Sequence, residues 1–417
     1  MHQLPAGVPV SSGSPVPPLL RTCTTCAPAI RARVSRVVTA ASISSAPGTG
    51  VGGRTMFRCT STSTRTSATT STLARLFDGG SLRLPATATA VSTTSGTQIK
   101  TDFRKGTVDD HTLRVAAVLA ALAATALITP TAAAVTDHDL AARWAPIHYQ
   151  DTDSSDYDAD YVTAVDFDGE WSTIDNWEAQ DDSLSRLTGA AYYSVVETST
   201  HWFIGYSFYH PRDWEDFSDP FSLYTHENDL EGMVLTVRRD GSTYGRLEAM
   251  VTVAHSDFYS YVPSGSTFTS GRENVDGTLV LQNGRPTTRQ EAKGHGLYGW
   301  NGAEFPGGDG VVYFPTGTGE VPSSGNDRSV GYRLVNAFDA GGMWARRNDS
   351  ATFASWGTFR GDNGKDNAAN APWGWDDGND GSDIPRGMLA SDPAYLVAQY
   401  FAGEGAFSLT YTRNGFR

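Results

Sequence analysis

Along residues 135–417, apolar and polar positions repeat in short runs, most with the period of two that a half-buried strand requires. Residues 202–210 (WFIGYSFYH) depart from this by being apolar at nearly every position. A strand covered on both faces reads that way, so this segment is expected in the middle of a layered sheet. Residues 231–239 and 246–254 flank the turn signal Asp240-Gly241 and read as a hairpin. With its turn centred near Gly241, Glu231 falls opposite Ala254. Further strands are expected at 141–150, 161–168, 190–197, 278–282 (closed by the Asn283-Gly284 turn), 310–314, 329–334 and 406–411. Residues 261–271 read as loop, as does 361–383, rich in Asp, Asn, Gly and Trp. Helical spacing fits 335–347, weakened by Gly341-Gly342, and 394–401. Many short strands, long Gly-rich loops and few helices predict a mainly β fold: a β-sandwich with a few added helices and long loops.

Upstream the text changes. Residues 1–107 are rich in Thr, Ser, Ala, Pro and Arg with no sustained hydrophobic period, and no core can be built from them. They are expected to be disordered, or to precede the true start near Met56 or Val108. Residues 108–134 then hold a basic flank, the apolar run VAAVLAALAATALI and the small-residue string Thr131-Ala132-Ala133-Ala134. That order is a secretory signal with cleavage near Ala134. The run is too short to span a bilayer comfortably. The expected product is an extracellular domain, 135–417.

All three cysteines, Cys23, Cys26 and Cys59, lie before that domain, so it has no disulfide and no thiol chemistry. Export without disulfides suits a bacterial source. Charge is equally uneven. Thirteen of the 32 basic residues but only 4 of the 46 acidic ones precede residue 135, which leaves 19 basic against 42 acidic in the remainder. Such a surface repels phosphate backbones and excludes nucleic acid. It also disfavours adsorption to anionic lipid, so any membrane contact is peripheral. Cations and neutral partners such as glycans fit it better.

The candidate chemistry gathers at 206–237. Asp213, His226, Asp229 and Glu231 are oxygen and nitrogen donors in close sequence. Asp229 and Glu231, two apart, would diverge by about 200° on a helix but share one face of a strand. Carboxylates with one imidazole suit a hard divalent cation, Mg²⁺ or Ca²⁺, with Mn²⁺ as an alternative. The same residues could instead form an ion-pair network with Arg212, Arg238 or Arg239. A cation here could be structural, orient a ligand or activate water for hydrolysis. The hairpin register returns His255 and Asp257 to the same sheet end. His295, between Gly294 and Gly296, sits where backbone must approach closely. His210 reads as packing and His201 as a strand-surface residue. Asp151, Asp153, Asp156, Asp158 and Asp160 lack the Gly and terminal Glu of an EF-hand and read as a solvated acidic turn. No G-x-S-x-G elbow, H-E-x-x-H helix or G-x-x-x-x-G-K loop occurs in the domain.

YSFYHPRD (206–213), the H-x-x-D-x-E of HENDLEG (226–232) and VTVAHSDFYSY (251–261) resemble, in order, the motifs of the necrosis-inducing NPP1-like, or Nep1-like, proteins. LVNAFDAGGMWARR and NAANAPWGW are looser echoes, and the central strand with GHGLYGW around His295 also resembles VPS62-like proteins. The first resemblance implies a secreted β-sandwich related to actinoporins and fungal lectins, with a divalent cation at its rim. Asp213, His226, Asp229 and Glu231 then stand at ligand positions, and His255 at the histidine of the following strand. It further implies recognition of a glycan or glycosylated lipid, with cytolysis in some members. This chain reads THENDLE where plant-toxic members read GHRHDWE, and lacks their cysteine pair. A metal-dependent extracellular hydrolase and a surface protein with a purely stabilising cation are the other two readings.

Overall fold

A computed structural model describes residues 57–59, 88–93, 96–101 and 135–417, apart from 183, 222, 304 and 380–383. The expected signal segment lies outside the described residues. The chain divides into two units, Met1–Thr129 and Pro130–Arg417. In the first, strands β1 (Phe57–Cys59), β2 (Ala88–Thr93) and β3 (Gly96–Thr101) form a sheet ordered β1-β3-β2.

The second unit opens with helix α1 (Asp137–Trp144), where a strand was expected over 141–150. Thr136 and Asp139 form a reciprocal capping box that fixes its start. Only β4 (Ile147–Asp151) is extended. Helix α2 (Asn176–Asp182) follows, then the central strands β5 (Ala190–Thr198), β6 (His201–Asp213), β7 (His226–Arg238), β8 (Arg246–Ala254) and β9 (Asp257–Pro263). Beyond them lie β10 (Thr269–Ser270), β11 (Gly277–Leu279), β12 (Leu281–Gln282), β13 (Arg285–Gln290), β14 (Leu297–Gly299), β15 (Gly310–Pro315) and β16 (Val330–Asn336). Hairpin β17 (Phe353–Ser355) and β18 (Thr358–Phe359), helices α3 (Met388–Ser391) and α4 (Pro393–Tyr400), β19 (Phe401–Ala402) and β20 (Tyr411–Arg413) complete it.

The main sheet runs β11-β9-β8-β7-β6-β5-β16-β15-β4-β13-β12, with β14 added to β13 and β20 to β5. It curls so that β14 returns beside the middle strands: the Leu297 amide donates to Glu231 of β7, and Tyr298 packs on Tyr259 of β9. One core fills the inside of the curl, around Tyr206, Phe208, Met233, Leu235, Leu297 and Tyr313. A second core lies on the opposite face, where Tyr209, Leu230, Val234 and Val251 meet Phe359, Trp373, Leu396 and Tyr400. Two cores explain why β6 is apolar on both faces. The fold is mainly β with few helices and long loops, as the residue pattern predicts.

Several local expectations fail for physical reasons. Residues 161–168 form turns, with a single bridge from Thr163 to Tyr209. Residues 335–347 are not helical: Gly341 takes a left-handed φ of 79°, and the segment breaks into turns after β16. Strand β9 continues into the stretch read as loop, and the last strand falls at Tyr411–Arg413 rather than 406–411. His201 is fully buried, with Nε2 3.1 Å from Glu248. No helix among the described residues is long and apolar enough to cross a membrane.

Candidate functional site

Strands β6 and β7 pair so that Asp213 lies opposite His226, His210 opposite Asp229 and Phe208 opposite Glu231. Strict alternation would put His226 on the face away from Asp229 and Glu231. Asn228 resolves this by taking a left-handed φ of 61°. Glu227 and Asn228 then both turn toward α2, Glu227 accepting from the Trp177 amide and Asn228 from Asn176. His226 thereby returns to the face that carries Asp229 and Glu231. Asn tolerates this conformation better than most residues. Here it is also held by four partners: Oδ1 accepts from Tyr209 and Asn176, and Nδ2 donates to the carbonyls of Thr173 and Arg360.

Asp213, His226, Asp229, Glu231 and His255 all line one open cavity of about 640 Å³. His226 Nδ1 donates to the Asn228 carbonyl at 2.8 Å, which leaves Nε2 to face Asp213 Oδ2 at 3.2 Å. Burial works against a charged His226, but the Asp213 carboxylate raises its pKa. Burial in turn raises the Asp213 carboxyl. Glu231 accepts from the amides of His255 and Leu297, one on each oxygen. Burial, then the nearby Asp229 charge, pushes Glu231 well above the ordinary carboxylate range, against the pull of those two amides.

His295 does not line the cavity; it lies fully buried beneath it. Its Nδ1 is 3.1 Å from Asp229 Oδ2 and its Nε2 is 3.2 Å from Asp160 Oδ1. Although burial disfavours the charge, these two carboxylates hold the imidazolium up to about 9. The ring of His210 stacks on it at 3.7 Å and is kept neutral, chiefly by burial. Gly294 and Gly296 meet the expectation of close approach, since a Cβ on Gly294 would come 2.9 Å from His255 Cε1. Asp257 stands away from the cavity and accepts from Asn379. His255 is half-exposed, and Glu291, 2.7 Å from its Nε2, raises its pKa.

Residues that sequence reasoning passed over are central here. Asp160 is fully buried rather than solvated, and takes the Asp153 and Lys293 amides and the Trp214 indole as well as His295. Its only signal was the density of aspartates around it. Glu291, Lys293, Lys365 and Trp375 also line the cavity. Trp375 donates to the Leu230 carbonyl and packs against Gly232, where a Cβ would come 2.6 Å from the indole.

As the side chains stand, the acidic groups with ligand atoms all within 4.8 Å of one another are Asp168/Glu170/Asp175 and Glu178/Glu227/Asp362, among the described residues. Neither includes the cavity set. The three arginines that could have neutralised that set are engaged elsewhere: Arg212 with Asp156 and Asp181, Arg238 with Glu248, and Arg239 with Glu197.

No family model and no curated protein matches the chain. Solved structures do. One, described as "Toxin fold for microbial attack and plant defense", is 16% identical with a TM-score of 0.31, over 58% of this chain and 88% of that one. Necrosis and Ethylene inducing Protein 2, from the causal agent of cocoa's Witches Broom disease, is 12% identical with a TM-score of 0.27, over 51% and 80%. NLPPya, in complex with mannosamine, is 13% identical with a TM-score of 0.28, over 58% and 88%. All three likenesses are distant.

Proposed function

We propose that this chain is an extracellular recognition protein that uses a divalent cation to bind a glycan or a glycosylated lipid surface. The observation that carries the reading is the set of oxygen and nitrogen donors that lines one cavity. Asp213, Asp229 and Glu231 converge there, and the nearby arginines answer to other carboxylates. His226 has Nδ1 tied to a backbone carbonyl, the arrangement that presents the other ring nitrogen to a metal. Asp213, His226, Asp229 and Glu231 would hold the ion, with His295 orienting Asp229. Oxygen-rich donors select Mg²⁺ or Ca²⁺, and a bound cation of this kind coordinates the hydroxyl oxygens of a sugar.

The cavity rim supports a surface-binding role. Leu223 and Tyr224 border the opening, and Phe217, Phe221, Leu223 and Tyr224 are all at least half exposed. Apolar residues clustered in this way mark contact surfaces. Titration calorimetry with Mg²⁺ and Ca²⁺, followed by a glycan panel and dye release from glycolipid vesicles, tests the proposal. Binding that needs the cation and is lost in Asp229→Ala supports it; no cation binding defeats it. The His255–Glu291 pair at the cavity edge favours hydrolysis as the second reading. Turnover of a glycan or ester panel that disappears in His255→Ala would replace recognition with that activity.

A further inference from the structure

A second hollow lies on the 346–356 segment, independent of the cation cavity. It has a volume of about 280 Å³ and is lined by Arg347, Asn348, Ser350, Ser355 and Trp356 among others. Trp356 occupies the tip of the β17–β18 hairpin and is 53% exposed. It is nevertheless fixed. Gly357, at φ 73°, abuts the backbone of Gly374, where a Cβ would come 2.7 Å from the Gly374 Cα. The Gly357 carbonyl accepts from Ala371, and the Trp356 ring meets Trp344 edge-on at 5.6 Å and 77°. An exposed indole locked in this way offers a preformed apolar platform at little entropic cost.

The polar groups around it are uncommitted. Asn348, Ser350 and Ser355 have no side-chain hydrogen-bond partner among the described residues. Arg347 lies over the Trp344 ring at 4.5 Å and donates to the Trp344 carbonyl, and no carboxylate among the described residues pairs with it. Its neighbour Arg346 is neutralised by Asp349. Arg347 is thus a cation open to a carboxylate from outside the chain.

We infer that this hollow binds one acidic sugar unit, a uronic acid residue of a polysaccharide. The C–H face of the sugar ring packs on Trp356, its hydroxyls take Asn348, Ser350 and Ser355, and its carboxylate takes the planar fork of Arg347. The volume falls just under the range of about 300–1,000 Å³ usual for drug-sized ligands, which suits a single ring. This site needs no cation.

The test is a tryptophan-fluorescence and calorimetric titration of the full chain with trigalacturonate and with neutral cellotriose, in chelator. Trigalacturonate should bind, and Trp356→Ala or Arg347→Gln should weaken it about tenfold or more. Arg347→Gln should also erase the preference for the acidic over the neutral sugar, whereas adding Mg²⁺ or Ca²⁺ should leave binding unchanged. Absence of binding at millimolar trigalacturonate overturns the inference. So does binding that survives Trp356→Ala, or that appears only when Mg²⁺ or Ca²⁺ replaces the chelator; the latter would assign the sugar to the cation cavity.

Discussion

Asp229 and His295 meet 3.1 Å apart, Oδ2 to Nδ1, with the histidine wholly shielded from solvent. Because Asp160 holds the other ring nitrogen, the imidazolium neutralises two carboxylates at once. His295→Ala leaves both of them facing an unfilled space. The expected loss is about 3–5 kcal/mol, the usual cost of breaking a buried ion pair from one side. Urea unfolding measures it. Adding Asp160→Asn to His295→Ala should recover part of the loss, because one uncompensated charge is then gone.

Asn228 combines a left-handed backbone with four side-chain hydrogen bonds. Asn228→Ala should therefore cost about 3 kcal/mol, from the strained φ and from the partners left unsatisfied. Asn228→Gly keeps the backbone unstrained and should be about 1 kcal/mol less damaging. If the two variants unfold at the same denaturant concentration, the backbone geometry is not what holds His226 on the cavity face.

Asp151 sets a pH dependence. Burial, opposed by Arg289, raises its carboxyl from 3.8 to about 7, and its Oδ1 is buried without a hydrogen-bond partner among the described residues. The folded chain thus keeps this proton across a range where the unfolded chain has lost it. The contribution to stability is fully present below 3.8 and is lost as pH rises through about 7. Asp151→Asn cannot ionise. At pH 8 it should be more stable than the native chain by about 2 kcal/mol, or roughly 5 °C in Tm, and the gap should close toward pH 4. Buried His148, lowered to about 3, acts in the opposite direction but is common to both proteins.

Asp213→Asn removes a charged donor facing His226 without changing its shape. Affinity for Mg²⁺ or Ca²⁺ should fall by more than the about 10–100-fold typical of outer-shell partners. Chelator should lower the Tm of the native chain and leave that of Asp213→Asn unchanged, as read by differential scanning calorimetry.

Much of this arrangement is legible in the residues alone. The two-sided apolar run of β6 placed it mid-sheet, and the hairpin register brought the His255 amide to Glu231. Convergence of Asp213, His226, Asp229 and Glu231 on one cavity follows from strand spacing with one exception. Simple alternation puts His226 on the wrong face, and the correction rests on a single φ at Asn228, which no hydrophobic period reports. Asp160 illustrates the other limit. An aspartate among aspartates reads as solvated, and the tertiary approach of the 293–296 loop and of Trp214 makes it a buried acceptor. The failed helix at 335–347 shows helix propensity yielding to Gly341-Gly342.

Glu231 ties together pieces of chain that are far apart in order: one oxygen secures the bend after β8, the other the start of β14. The carboxylate is therefore a clasp for the curled sheet as well as part of the floor that would meet an ion. Anything that draws electron density from it must loosen or tighten those two amide contacts together. The exchange rates of the His255 and Leu297 amide protons thus become paired gauges of occupancy, readable without knowing what the occupant is.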